Sequence, residues 1–145
     1  MRALLNSIST TTAGLDTLPI RIGAGITFAA HGSQKLFGWF GGYGLEGTAG
    51  WMESIGLAPG ILMAGLAGGA EFFAGLLLIV GLLVRPAALL LAVTMIVAIV
   101  TVHLENGFFM ATNGFEFALA LLIISATLAV RGAGSFSIDR AFLSN

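Results

Sequence analysis

Five ionisable side chains stand inside stretches that otherwise have almost no polar character: His31, Lys35, Glu71, His103 and Glu116. Their chemistry covers proton transfer and recognition of a carbonyl or anionic oxygen. An imidazole or carboxyl can take or give a proton, and an ammonium offers three donors. Within a membrane span such a group costs about 2.5–3.5 kcal/mol on insertion scales. It therefore turns inward, pairs, and marks either a function or a fixed helix register.

The stretches that must position these groups run over about 18–40, 59–84, 86–104 and 115–130. A helix crossing a ~30 Å hydrocarbon core needs roughly 17–25 residues. The runs do not alternate as barrel strands would. The expectation is an all-α integral membrane four-helix bundle. Thr17 is a candidate N-cap with Pro19 in the first turn. Arg85-Pro86 is expected to force a tight turn between the second and third helices. Segments 41–58 and 105–114 are read as long loops, the first with Gly41-Gly42-Tyr43-Gly44 and the second with Asn106-Gly107-Phe108-Phe109. The glycine run matches no nucleotide-binding fingerprint and reads as a turn. Trp39 and Trp51 flank it as interfacial anchors. Small residues at Gly25/Ala29 and Gly65/Gly69 read as close-packing positions.

On this scaffold His31 and Lys35 are four residues apart and share a face. Glu71 is the acid deepest in the membrane. If the first two helices are neighbours, Glu71 pairs with Lys35 or His31. His103 and Glu116 then form a second cluster nearer the rim. All five lie between the midplane and one membrane surface, which predicts one polar cavity opening to that side. Arg21, in the other half, is expected to snorkel to the opposite interface.

The composition agrees. The chain is 57% hydrophobic and 9% charged, with mean hydropathy +1.01, whereas soluble domains carry about 25% charged residues. Net charge is −1, which offers no basic field for nucleic acid. With no cysteine, the chain itself has no disulfide, thiol chemistry, cluster ligation or thiolate metal site. Two histidines at different depths give no haem pattern, and no metal-ligand spacing is present. No metal and no cofactor resident on this chain is expected. Residues 1–17 lack the charge and apolar core of a signal peptide and read as a short mobile polar arm. The transmembrane unit is read as 18–131 and the tail as 132–145. Arg2, Arg21, Arg85, Arg131 and Arg140 fall on one side of four alternating helices and Lys35 on the other. The positive-inside rule then puts both termini in the cytoplasm of a bacterial cell, with the chain multi-pass in the inner membrane.

The order of several pieces resembles the DoxX family of small bacterial membrane proteins, over about 18–142. These pieces are Arg21, then His31-Gly32-Ser33-Gln34-Lys35-Leu36-Phe37-Gly38, then the Gly-Gly-Tyr-Gly run. Ala70-Glu71 with Gly75, Arg85-Pro86-Ala87, and His103 with Gly107-Phe108-Phe109 follow. Glu116, Gly132-Ala133-Gly134-Ser135 and Ser137-Ile138-Asp139 complete the series. The resemblance implies a four-helix fold and a redox setting, since relatives are linked with thiosulfate:quinone oxidoreductase subunits and with complexes that handle oxidative stress. Broader relatives act as assembly or cargo factors.

Three functions follow as expectations. The first is a small membrane subunit of a quinone-linked oxidoreductase, with His31, Lys35, Glu71 and His103 around a quinone head group in the outward cavity. Electrons would come from a soluble partner or directly from a small periplasmic reductant, and a soluble redox partner or another membrane subunit is the protein partner expected. The second is a non-catalytic anchor, chaperone or assembly factor in which the polar cluster only fixes register. The third is a proton or small-anion transporter, which four helices could support only as a homo-oligomer. Membrane lipid is a partner in all three.

Overall fold

The computed structural model of the protein describes residues 11 and 13–143. Most of the arm read over 1–17 thus lies outside the described residues. Among the described residues there is no strand, and the chain forms an all-helical bundle. Its helices are α1 (Thr17–Phe37), α2 (Gly44–Ser54), α3 (Gly60–Val80), α4 (Val84–Ala98), α5 (Glu116–Arg131) and α6 (Ile138–Leu143). A π-helical turn (Ile99–His103) and a 3-10 turn (Leu104–Asn106) extend α4. Among the described residues two helices are long and apolar enough to cross a membrane, Gly60–Val80 and Val84–Asn106, with hydropathies of 1.9 and 2.5.

The element ends follow local chemistry. Gly38 ends α1 at φ 72°, a left-handed conformation that costs glycine little. Gly81 ends α3 in the same way: its N–H donates to Leu78 O (3.2 Å) and that of Leu82 to Leu77 O (3.0 Å), a Schellman pair. The turn between α3 and α4 is therefore 81–83, not Arg85-Pro86. Pro86 lies in the first turn of α4, where its missing N–H breaks no helical bond.

Segment 41–58 is not a loop throughout, since it contains α2. Thr48, Ala49 and Met52 are the buried face of that helix, and Ala49 and Met52 pack with Ala64 of α3. The other long helices pair as α1 with α3 and α4 with α5. Phe28, Leu78, Val84, Leu91, Met95, Leu121 and Leu128 make the core between the pairs.

The α1–α3 contact is built on missing side chains. A Cβ at Gly75 would lie 2.6 Å from Ala29 N, and one at Gly25 would lie 2.8 Å from Gly75 O. Backbone approach of this kind supplies the packing that helices in lipid need. Gly65 and Gly69, expected as a packing pair, face open space. Gly68 is the contact residue instead: a Cβ there would meet Leu36 Cδ2 at 2.9 Å and Lys35 Cβ at 3.1 Å.

Residues 132–143 fold back over the end of the bundle where α1 begins and α5 ends. Arg21 does not snorkel. It is 1% exposed and donates to Ala133 O (2.9 Å) and Phe136 O (2.8 Å). Tail carbonyls take up its two terminal nitrogens where it stands, while its Nε is buried without a hydrogen-bond partner among the described residues. Thr17 Oγ1 also donates to Ala133 O (3.1 Å). Asp139 is buried and accepts from Leu83 N (2.8 Å) and Val84 N (2.9 Å). A carboxylate thus caps the start of α4 from 55 residues away in sequence. At the same end Thr11 Oγ1 accepts from Gly134 N (2.8 Å), and Arg131 pairs with Asp16.

Candidate functional site

The site begins at the Gly68 contact. Because α3 has no side chain there, the last turn of α1 lies against it, and Lys35 reaches one turn along α3 to Glu71. Nζ and Oε2 are 2.6 Å apart. The Glu71 side chain is 5% exposed and that of Lys35 25%. The carboxylate is therefore enclosed, while the ammonium keeps an open side. An ammonium has three protons and this bond uses one, so Lys35 can bind a second acceptor. Thr48 Oγ1 of α2 donates to Lys35 O (3.3 Å), which ties α2 to the same turn.

His31 is one turn earlier on α1 and is exposed on the bundle's flank. Its ring centroid lies 6.0 Å from that of Phe117 on α5. It is within electrostatic reach of both Lys35 and Glu71. Three of the five residues singled out in the sequence are thus gathered where α1, α3 and α5 meet. Beside them lie Phe37, Trp39, Phe72 and Phe73. Phe37 and Phe72 stand edge-on with centroids 5.2 Å apart, and Phe72 and Phe73 likewise at 5.3 Å. Phe37, Trp39 and Phe73 are exposed.

His103 and Glu116 do not pair with each other. His103 Nδ1 lies 2.9 Å from Asn113 O. Glu116 Oε1 accepts from Met110 N (2.8 Å), and its own N–H donates to Phe108 O (2.9 Å). Both groups fasten the segment between α4 and α5. The side-chain hydrogen bonds of His103 and Glu116 run to the 106–114 segment and not to His31, Lys35 or Glu71. An open groove lies at the loop end, lined by Trp51, Ile55, Val100, Thr101, Val102, Glu105, Asn106 and Asn113, and it includes none of the five. Among the described residues no three His, Asp or Glu side chains are grouped to hold a metal ion.

Sequence reasoning missed the groove and the buried Arg21–tail–Asp139 network. A signal for the groove was present: Leu45, Thr48, Ala49 and Met52 repeat at helical spacing, which predicts the helix that forms one wall. For the tail the signal was an arginine within an apolar run followed, far along the chain, by an acid two residues after a serine.

The class defined here is an all-helical membrane bundle with a largely buried ion pair between two of its helices. The chain belongs to the DoxX family, whose family model matches residues 17–104. It is 35% identical over 125 residues to the Bacillus subtilis (strain 168) protein named "Putative oxidoreductase CatD", covering 86% of this chain and 85% of that one. It is 32% identical over 131 residues to an uncharacterized membrane protein of Mycobacterium tuberculosis, covering 83% and 77%. An uncharacterized Haemophilus influenzae protein is 32% identical over 130 residues, covering 85% and 87%. No solved structure matches the chain.

Proposed function

We propose that the protein is a small multi-pass subunit of a quinone-linked oxidoreductase in the bacterial inner membrane, with both termini cytoplasmic. The observation that carries this reading is the Lys35–Glu71 pair: an enclosed carboxylate holding an ammonium that is open on one side. The oxidoreductase name of the Bacillus relative supports the reaction class. The exposed aromatic rings beside the pair suit a planar, lipid-soluble ligand arriving from the bilayer.

In this reading Lys35 donates a hydrogen bond to a quinone carbonyl oxygen, and Glu71 keeps the ammonium aimed. His31, exposed and within reach of both charges, exchanges the protons that quinone reduction consumes. A partner protein supplies the electrons. The tail-covered terminal end favours access from the membrane and the loop end over a path through the bundle.

A photoreactive quinone analogue tests the assignment. Irradiation in native membranes, digestion and mass spectrometry should place the label on peptides containing 31–37 and 71–73. Labelling confined to other helices, or labelling that excess natural quinone does not suppress, would refute it.

A further inference from the structure

We propose that the groove between α2 and the end of α4 binds an organic cation, an ammonium group carried on an apolar body. Its volume is about 490 Å³, within the range of about 300–1,000 Å³ usual for small-molecule sites. One wall is Trp51 and Ile55 of α2, and the other is Val100, Thr101 and Val102 of the π turn with Glu105, Asn106 and Asn113. The π turn is what makes the second wall. Val100, Thr101 and Val102 all belong to it, and such turns recur at functional sites.

The polar side chains in the lining, Trp51 aside, are Thr101, Glu105, Asn106 and Asn113. Thr101 Oγ1 gives its proton to Val97 O (2.8 Å) and Asn106 Nδ2 donates to Val102 O (2.9 Å). Thr101 is left with oxygen lone pairs, and Asn106 with its amide oxygen and one N–H. Glu105 is the one ionisable residue in the lining. Among the described residues its carboxylate has no hydrogen-bond or ion-pair partner. No Lys, Arg or His side chain lines the groove to attract an anion. A ligand fitting this lining brings donors and positive charge to Glu105 and an apolar surface to Ile55 and the valines. The Trp51 ring adds attraction for a cation. The groove shares no residue with the Lys35–Glu71 site, so this proposal and the quinone reading stand or fall separately.

Trp39→Phe leaves Trp51 as the single tryptophan, since the chain has two. The full-length variant, in nonionic detergent, is titrated with benzyltrimethylammonium while indole emission is followed. A saturable change is expected, absent with the neutral isostere neopentylbenzene. Glu105→Gln in this background should weaken the apparent affinity roughly tenfold or more, as loss of a contact between opposite charges implies, and Glu105→Asp should retain most of it. Far-UV circular dichroism checks that both variants stay folded. No saturable change, an equal response to the neutral probe, or unchanged affinity in folded Glu105→Gln would overturn the proposal.

Discussion

Neutralising Glu71 while leaving Lys35 in place should be more damaging than removing both charges. Removing one partner of a buried pair costs roughly 3–5 kcal/mol, whereas replacing both by groups of similar volume is often close to neutral. In Glu71→Gln the ammonium loses its counter-charge at 2.6 Å. A quarter of the Lys35 side chain is exposed, so its stem can swing the charge toward the loop end. That relief places the single variant near the low end of the range, about 3 kcal/mol. Lys35→Met should cost more, because the carboxylate is 5% exposed and on a shorter side chain. The double variant Lys35→Met/Glu71→Gln should be more stable than either single one, with a coupling of at least about 2 kcal/mol. The assay is unfolding by sodium dodecyl sulfate titration in mixed micelles, followed by helicity, for all four proteins of the cycle. If the cost of the double variant equals the sum of the singles, the two charges do not depend on each other and the reasoning fails.

Asp139→Ala removes the acceptor for Leu83 N and Val84 N and a charge near Arg21, and should cost about 2 kcal/mol, the upper range for a lost helix cap. Hydrogen exchange should locate the loss at 81–85. Gly75→Leu should separate α1 from α3, since even a Cβ there meets Ala29 N at 2.6 Å. A tryptic cleavage assay in detergent should then show faster digestion, and unchanged digestion would contradict the packing. Glu116→Ala should free Met110 N and speed amide exchange over 108–114 with little change in global stability.

The helices were legible because a hydrocarbon solvent leaves little freedom: a run such as 59–84 can satisfy its backbone in lipid only as a helix. The Lys35–Glu71 contact could be read in outline for a similar reason, since one deep acid had few cations to meet. The helix ends were less legible. Arg85-Pro86 looked like the turn because proline punctuates chains, but Gly81 takes the left-handed turn and proline fits the next first turn. Depth arithmetic placed His103 and Glu116 together. It could not see that the backbone of 106–114 comes between their roles and occupies both groups. The π turn left no mark in residue type. Arg21 was read as an interfacial cation because the partner carbonyls, at Ala133 and Phe136, are more than 100 residues away and belong to a tail with no helical pattern of its own.

The most direct test of the quinone reading is the amount of quinone retained by protein purified in mild detergent, measured by mass spectrometry against co-purified lipid. The wild-type chain should hold close to one quinone per protomer. The Lys35→Met/Glu71→Gln variant, which keeps its fold, should hold none above the lipid background. Equal quinone in the two proteins, or none in the wild type, would contradict the assignment.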